Sequence, residues 1–290
     1  MIQVRGLEKS YGDVEAVRGV SFAVEAGEVF GLVGPNGAGK TSTLKTLAGL
    51  LEPTAGDVVV NGYDAADPDM RAHLGFLPEE SPLYEEMTPR TYLRFFADLY
   101  DVPRDVADDR IERSLDRLSL DERDRPVGGF SKGMKRKVAI ARSLVNDPDV
   151  LVYDEPASGL DPATTDAVVA FTRELADAGK TVVFSAHDLH HVESVCDRVA
   201  IVSDGRIAAQ GTLAEIRETH GRLEYRAFTD VPVQDATEVE PGRYRTTVES
   251  MDGVDGVRER AREAGGDLVD VRTRESTLED VFLEVTGARR

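Results

Sequence analysis

The residues of this chain with the clearest chemical meaning form a segment that begins at Gly34 and ends at Thr41. Its spacing, Gly-x-x-x-x-Gly-Lys-Thr, is that of a loop whose backbone N–H groups surround nucleotide phosphates. The glycines permit the tight turn, Lys40 is expected to reach the β- and γ-phosphates, and Thr41 can bind Mg²⁺. A glycine-rich turn between a strand and a helix is the alternative. The predicted phosphate contacts are Gly34, Pro35, Asn36, Gly37, Ala38, Gly39, Lys40, Thr41 and Ser42.

Two adjacent carboxylates, Asp154 and Glu155, follow a short apolar run at residues 150–153. The end of a strand beside a phosphate loop is where Mg²⁺ must be held, so Asp154 is predicted to bind the metal directly or through water. Glu155 is then placed to polarise an attacking water molecule. An acidic cap at the end of a strand would use the same residue types. Together with the phosphate loop, the pair predicts hydrolysis of a bound nucleotide.

The elements that must position these residues alternate between buried strands and helices. Apolar runs at residues 29–33, 149–154 and 181–185 predict strands, and the patterns at residues 41–48 and 162–178 predict helices. Strands that are apolar on both faces and separated by helices are typical of parallel sheets. The sequence therefore predicts an α/β core with a mostly parallel sheet.

Further segments flank this predicted core. Residues 1–30 alternate apolar and polar positions between glycines, which predicts an antiparallel β subdomain. From Thr88, which is expected to cap a helix, apolar residues recur at helical spacing, and this predicts a helical subdomain over about residues 80–146. Asp204 and Gly205 form a dipeptide typical of a two-residue hairpin turn.

Gly221 marks the predicted end of a nucleotide-binding domain that spans residues 1–220. Beyond it, short strand and helix patterns predict a small α+β appendage over residues 221–290. Ser276 and Glu279 have the spacing of a capping box for the last helix. The chain is therefore expected to hold one large domain and one small one.

Composition limits the classes of function. The net charge of −19, from 35 basic and 54 acidic residues, argues against indiscriminate nucleic-acid binding. An acidic surface with few lysines suggests a cytosol of high salt, in which ions screen the self-repulsion. No apolar run approaches the roughly 20 residues that span a bilayer, and the N-terminus has no signal-peptide pattern. Cys196 has no partner for an internal disulfide, which fits a reducing cytosol.

Further segments resemble the motifs of ATP-binding-cassette (ABC) ATPases. Residues 128–134, Gly-Gly-Phe-Ser-Lys-Gly-Met, resemble the family's signature loop. Residues 158–161, Ser-Gly-Leu-Asp, resemble its D-loop, and residues 185–188, Ser-Ala-His-Asp, resemble its switch-histidine loop. Tyr11 stands where the family places an aromatic ring on adenine. With the phosphate loop and the carboxylate pair, these motifs occur in the family's order and cover residues 1–220.

The resemblance implies that two such domains pack head to tail, each ATP lying between one copy's phosphate loop and the other copy's signature loop. Ser131 and the backbone N–H of Gly133, at a helix N-terminus, would contact the γ-phosphate across that interface. His187 would hydrogen-bond the γ-phosphate and hold Glu155 and the water in line, and Asp161 would couple the two sites. Each residue also has a structural alternative, such as a helix N-cap for Ser131 and Asp161.

Departures from the family pattern indicate which subgroup of the family this chain resembles. The commonest signature is Leu-Ser-Gly-Gly-Gln, whereas this chain has Phe-Ser-Lys-Gly-Met from Phe130, so that Lys132 adds a cation near the phosphate or a solvated charge. The loop usually led by Gln begins here with Glu79, which keeps an oxygen that can reach Mg²⁺ but loses an amide donor. Residues 77–80 and 276–283 resemble the ATPase subunits of ABC-2-type exporters.

The resemblance thus implies a cytoplasmic ATPase subunit, peripheral on the inner face of the membrane, that energises an exporter rather than an importer. Its cofactors would be ATP and Mg²⁺. Its partners would be a second ATPase copy, identical or paralogous, and an integral membrane permease that docks near residues 79–100, but no nucleic acid.

Two other classes of function compete with the transporter interpretation. One is a soluble ABC ATPase acting on ribosomes or nucleic acid, which usually resembles tandem cassettes or cassettes split by coiled coils or zinc modules. The other is a regulatory nucleotide-binding module without turnover, which the presence of both Glu155 and His187 disfavours.

Overall fold

The computed structural model describes residues 1–221 and 223–287 of the 290-residue chain. The chain divides into two compact units, Met1–Thr212 and Leu213–Arg290. This division falls ahead of Gly221, the expected boundary, because the helix that follows Thr212 packs against the last helix of the second unit.

The first unit alternates strands and helices, as the apolar runs predict. In chain order its elements are β1 (Ile2–Tyr11), β2 (Val14–Val24), β3 (Val29–Val33), α1 (Lys40–Leu47), β4 (Ala55–Val60), β5 (Tyr63–Asp64), a 3₁₀ turn (Pro68–His73), β6 (Leu74–Leu77), α2 (Pro89–Leu99), α3 (Arg104–Arg117), a 3₁₀ turn (Val127–Gly129), α4 (Lys132–Arg142), β7 (Val150–Tyr153), α5 (Pro162–Asp177), β8 (Thr181–Ala186), α6 (Leu189–Val195), β9 (Arg198–Ser203) and β10 (Arg206–Gly211).

The central sheet has the strand order β10-β9-β3-β8-β7-β6. Strands β9, β3, β8, β7 and β6 run parallel, whereas β10 returns antiparallel through the expected hairpin turn at Asp204 and Gly205. Strands β3, β7 and β8 are buried along their whole length, as parallel strands covered on both faces are. Because parallel strands end at one edge, Gly34, Asp154 and His187, which follow these three strands, come together there.

The antiparallel subdomain is a separate sheet with the order β2-β1-β4-β5. Strands β4 and β5 are joined at Asn61 and Gly62, whose φ angles of 52° and 88° suit a two-residue hairpin turn. The buried face of this sheet continues the apolar core of β3 and α1, and Phe22 stacks on Phe30 with ring centroids 5.1 Å apart. The antiparallel sheet therefore packs against the strand that leads into the phosphate loop.

The helical subdomain consists of α2, α3 and α4, which pack on one another. Thr88 caps α2 as expected, because its side chain accepts a hydrogen bond from the N–H of Thr91. Leu93, Ile111 and Leu115 are buried, and their spacing along α2 and α3 is helical. The period of the apolar residues therefore located these helices correctly.

An ion-pair network joins α2 and α3 to the loop that follows α3. Arg90 donates to the Glu112 carboxylate at 2.6 and 3.0 Å, and Arg123 donates to it at 2.7 Å. The hydrogen bond from Arg90, and then that from Arg123, lower the pKa of Glu112 to about 2 against the opposing effect of partial burial. Arg90 also donates to Asp124. The subdomain is thus held by charge as well as by its apolar core.

The second unit is an antiparallel sheet covered by a helix. In chain order its elements are α7 (Leu213–His220), β11 (Leu223–Thr229), β12 (Thr237–Glu240), β13 (Arg243–Val248), α8 (Met251–Glu263), β14 (Leu268–Glu275) and α9 (Leu278–Val285). The strand order is β12-β13-β11-β14, and α8 buries Val254, Val257 and Ala261 completely.

The last helix, α9, begins one residue later than the capping box predicted at Ser276 and Glu279. Its N-cap is Thr277, and the reciprocal partner is Asp280. The Asp280 carboxylate accepts from the Thr277 N–H at 3.0 Å and from Arg274 at 2.8 Å. Arg274 therefore fixes Asp280 in the geometry that caps the helix, and the prediction at Ser276 was wrong.

Candidate functional site

The carboxyl ends of β3, β7 and β8 open into a cleft of about 440 Å³. The phosphate loop forms most of its wall, and three charged or titratable side chains from other loops complete it. The lining residues are Ala16, Pro35, Asn36, Gly37, Ala38, Gly39, Lys40, Thr41, Ser42, Glu79, Glu155, Ser158 and His187. The cleft therefore brings the phosphate loop together with Glu79, Glu155 and His187, which the sequence analysis assigned to the same nucleotide site.

Two glycines of the phosphate loop are required by close backbone approach. A Cβ at Gly34 would lie 2.3 Å from the carbonyl oxygen of Val202. A Cβ at Gly39 would lie 2.3 Å from the carbonyl oxygen of Ala16, and the φ of Gly39 is 101°, a left-handed value that favours glycine. Gly39 is also the N-cap of α1, so the loop delivers Lys40 and Thr41 to the first turn of a helix.

Lys40 is one of the residues that line the cleft. Its ammonium group donates to the carbonyl oxygens of Gly34 at 2.6 Å and Pro35 at 3.3 Å, and it is 3.6 Å from Oε1 of Glu155. Lys40 is only 6% exposed. A buried cation at the N-terminus of α1 favours an anion in the same place.

The carboxylate of Glu155 bridges two partners. Oε1 faces Lys40, and Oε2 lies 2.8 Å from Nδ1 of His187. The Glu155 backbone has a φ of 46°, a left-handed conformation that costs energy in a residue with a side chain. Such strain is typical of functional sites, where surrounding contacts hold it.

Ser185 fixes both carboxylate residues with a single hydroxyl. Its Oγ donates to Oδ1 of Asp154 at 2.6 Å and accepts from the N–H of Glu155 at 2.9 Å. Ser185 is fully buried, and Asp154 is 2% exposed. Asp154 therefore lies next to the cleft without lining it.

Tyr11 lies at the edge of the phosphate loop. Its hydroxyl is 3.3 Å from Oγ of Ser42, and the residue is 48% exposed. The ammonium of Lys9 lies 5.3 Å from the ring centroid. An exposed ring in this place has a free surface on which a base can stack.

Ser131, Gly133 and Asp161, from the signature loop and the D-loop, do not line the cleft of their own chain, whereas Ser158 of the D-loop does. Ser131 caps α4 by accepting from the Met134 N–H at 3.2 Å. Asp161 caps α5 and accepts from the N–H and hydroxyl of Thr164, and these hydrogen bonds lower its pKa. Gly133 packs against the same Thr164, since a Cβ there would lie 3.0 Å from its methyl group. Head-to-tail packing of two copies would require this separation.

Oxygen ligands for Mg²⁺ are present but few. Thr41 and Glu79 line the cleft, and the Asp154 carboxylate lies beside it. Within residues 1–221 and 223–287, no group of three or more His, Cys, Asp or Glu side chains could hold a metal. This donor set fits Mg²⁺, which is usually bound by one or two protein ligands and completed by phosphate and water.

Three site residues were not singled out from the sequence. Ser158 lines the cleft and Ser185 orders the carboxylates, yet each was quoted only as part of a loop motif. Arg136, on α4, donates to the backbone of the carboxylate loop and was missed entirely. Its one signal was its position on the face of α4 that carries Gly133 and Ile140, where a charged residue is unexpected.

The part of the chain that the structure describes holds no helix long and apolar enough to cross a membrane.

Comparison with known proteins agrees with this geometry. The family model described as ABC transporter matches residues 17–158. The chain is 40% identical to the ABC transporter ATP-binding protein NatA of Bacillus subtilis, over 71% of this chain and 85% of that protein. It is 35% identical to the daunorubicin resistance ATP-binding protein DrrA3 of Streptomyces coeruleorubidus, over 100% of this chain and 96% of that protein.

Solved structures give the same result. An ATP-binding subunit of an ABC transporter superposes with a TM-score of 0.70 at 35% identity, over 76% of this chain and 92% of that one. A dimeric ATP-binding cassette bound to ADP and phosphate in a post-hydrolysis state superposes with a TM-score of 0.67 at 25% identity. The superposition covers 73% of this chain and 99% of that one. The chain therefore belongs to the ATP-binding subunits of the ABC transporter family, and it is an ATPase.

Proposed function

We propose that the chain is the ATP-hydrolysing subunit of an exporter and drives a separate membrane permease by dimerising on ATP. Relatives that match nearly the whole chain carry export names. One is the fluoroquinolones export ATP-binding protein of Mycobacterium tuberculosis, 36% identical over 99% of this chain and 93% of that protein. Another is the Nod factor export ATP-binding protein I of Burkholderia lata, which is 35% identical over 99% of this chain and 97% of that protein. These alignments extend through the C-terminal unit as well as the ATPase core.

The observation that supports this proposal is the position of the Glu155 carboxylate between Lys40 and His187. Its oxygens lie 3.6 Å from Nζ of Lys40 and 2.8 Å from Nδ1 of His187. In the proposed reaction, Lys40 and the loop N–H groups bind the phosphates of ATP. Glu155 accepts the proton of the attacking water, and His187 orients Glu155 and contacts the γ-phosphate. Tyr11 stacks on the adenine.

Thr41, Glu79 and Asp154 are the residues proposed to hold Mg²⁺, either directly or through water. The ion would neutralise charge on the β- and γ-phosphates. Asp154 is suited to this because Ser185 fixes one of its oxygens, so that the orientation of the carboxylate is set before the metal binds.

Ser131, Gly133 and Asp161 are proposed to complete the site of a second ATPase copy, identical or paralogous. All three belong to the N-terminal ends of α4 and α5, and the N–H groups at such ends favour anions. In this arrangement the dimer works at the inner face of the membrane beside its permease, without binding nucleic acid.

The permease is proposed to dock in a groove between the core and the helical subdomain. The groove has a volume of about 220 Å³ and is lined by Ala48, Leu50, Arg71, Leu74, Gly75, Phe76, Phe96, Tyr100, Arg142, Ser143 and Asn146. Leu50 and Tyr100, which line the groove, are 58% and 42% exposed. Neighbouring exposed apolar side chains in a groove are typical of a surface that another protein covers.

Reversing a charge in the groove tests the docking surface. Arg71→Glu should weaken co-purification with the permease and leave ATP binding unchanged, because Arg71 lines the groove and not the nucleotide cleft. Arg113→Glu, an exposed reversal outside the groove, is the matched control. Equal recovery of the permease with both variants would contradict this docking surface.

The activity itself is tested with Glu155→Gln in the purified full-length chain. The substitution should lower ATP turnover by about a hundredfold or more, since it removes a general base. ATP binding should remain, and the ATP-bound dimer should accumulate on size-exclusion chromatography. Glu174→Gln, which alters a surface ion pair, should leave turnover unchanged.

A pull-down of tagged Glu155→Gln with ATP from solubilised membranes identifies the partner. A stoichiometric integral membrane protein would support the transporter proposal. Ribosomal proteins or nucleic acid without a membrane partner would overturn it. Equal phosphate release by the wild type and Glu155→Gln would overturn the proposed role of Glu155.

A further inference from the structure

Arg136 is a buried cation that none of the proposed catalytic roles uses. It lies on α4 and is 7% exposed. Its guanidinium donates to backbone carbonyl oxygens of two separate loops. The acceptors are Pro78 at 2.7 Å, Glu79 at 3.0 Å, Asp154 at 3.0 Å, Glu155 at 2.8 Å and Pro156 at 2.8 Å.

The number and type of these contacts match a guanidinium. Arginine has five N–H donors in a rigid planar fork, and each of the five carbonyl oxygens takes one bond. Burial lowers the pKa of Arg136 to about 10, which leaves the group protonated at neutral pH. Its hydrogen-bond partners are backbone groups, so its role is to fix the path of the chain.

The two loops that Arg136 joins carry residues of the proposed active site. One loop follows β6 and presents Glu79 to the cleft, and the other follows β7 and presents Glu155. Besides Arg136, a backbone bond from the Asp154 N–H to the Leu77 carbonyl links them. Arg136 therefore sets the separation of Glu79 and Glu155 through their own main chains.

The strained backbone of Glu155 is held on both sides of its Cα. Ser185 accepts from the N–H of Glu155, and both Arg136 and the N–H of Ser158 donate to its carbonyl oxygen, at 2.8 and 3.1 Å. A left-handed residue that carries a side chain persists only where its surroundings fix it. Without Arg136, the carbonyl would keep only the longer bond from Ser158, and we expect the less tightly held peptide to shift the carboxylate relative to Lys40 and His187.

We propose that Arg136 is a positioning residue for ATP hydrolysis, which holds the Glu155 carboxylate in its working geometry and ties it to the Glu79 loop. The inference rests on the proposed role of Glu155. Arg136 does not line the cleft itself, and it acts through the main-chain carbonyl groups of Glu79 and Glu155, which do line it.

The test compares Arg136→Gln, Arg136→Lys and Lys135→Gln in the full-length chain. Arg136→Gln should lower kcat by about tenfold to a hundredfold, the scale expected for misplacing a catalytic group by about 1 Å. The KM for ATP should change by less than about threefold, because the phosphate loop is untouched. Arg136→Lys keeps the positive charge and supplies at most three donors, so its kcat should fall less than that of Arg136→Gln. Lys135→Gln removes a neighbouring charge on α4 that pairs with Glu85 and should keep wild-type kcat.

A double-mutant cycle separates positioning from general damage to the fold. In a Glu155→Gln background, Arg136→Gln should lower the residual rate by less than about twofold, because its effect passes through Glu155. The same loss in both backgrounds, or wild-type kcat in Arg136→Gln, would overturn the proposal. If Arg136→Gln does not fold, the Arg136→Lys cycle carries the same test. Wild-type turnover in Glu155→Gln alone would instead overturn the proposed function of Glu155.

Discussion

Replacing Ser185 with alanine is expected to affect stability and catalysis together. The hydroxyl donates to Asp154 and accepts from the Glu155 N–H, at 2.6 and 2.9 Å, in a fully buried position. Ser185→Ala removes both hydrogen bonds and adds no bulk. It therefore perturbs the two carboxylate residues with little change in packing.

The expected cost follows from the two bonds. A hydrogen bond to an ionised carboxylate contributes about 1.5–3 kcal/mol, and a buried N–H left without a partner costs about 1–3 kcal/mol. Because the neighbouring groups relax and such effects do not add fully, we expect a loss of about 3 kcal/mol in the free energy of unfolding. For a unit of this size, that lowers Tm by about 6–12 °C. Loss of the fixed Glu155 geometry should lower kcat by about tenfold to a hundredfold.

The assay is urea denaturation of the full-length chain, followed by steady-state ATP turnover at a temperature where each variant is folded. Thr172→Val is the matched control, because it removes a buried hydroxyl that bonds to the Val168 carbonyl within α5. It should cost about 1 kcal/mol and leave kcat unchanged. If Ser185→Ala lost no more stability than Thr172→Val and kept wild-type kcat, the reasoning about this hydroxyl would be refuted.

Other predictions concern acid, salt and packing. The lowered pKa of Glu112, about 2 against an ordinary 4.5, makes its stabilisation complete above about pH 4.5 and lost as the pH falls towards 2. Since Glu112 is 38% exposed, Glu112→Gln should cost only about 1 kcal/mol at pH 7, and a difference that persisted at pH 2 would contradict this. With a net charge of −19, the unfolding midpoint should rise from dilute buffer to molar KCl; equal midpoints would exclude self-repulsion. Gly75→Ala would place a methyl group 2.1 Å from the Ser143 carbonyl oxygen, so it should cost several kcal/mol or prevent folding, and wild-type melting would disprove this close contact.

The sequence predicted those parts of the fold and site whose signal is local. The phosphate loop, the buried strands around it and the cap at Thr88 each depend on residues close together in the chain, and the structure has them where they were expected. The capping box at Ser276 was wrong because Thr277 with Asp280 offers the same spacing one residue later, and Arg274, on the preceding strand, decides between them.

Contacts made by main-chain groups between distant segments could not be predicted in this way. Arg136 binds carbonyl oxygens, which every residue has, so no residue type at Pro78 or Pro156 signals the contact. The left-handed backbone of Glu155 could not be predicted from the sequence either, since glutamate does not favour this conformation. Such features follow from the arrangement of β6, β7 and α4.

The contact between Lys40 and Glu155 has a consequence for when the enzyme is competent. In the proposed function, a phosphate that binds the Lys40 ammonium competes with the Glu155 carboxylate, which lies 3.6 Å from it. Until that exchange occurs, the carboxylate of the base is paired with the Lys40 ammonium. In the proposed function, the bound phosphate would therefore take Lys40 away from Glu155, so that the substrate itself frees the base for the attacking water.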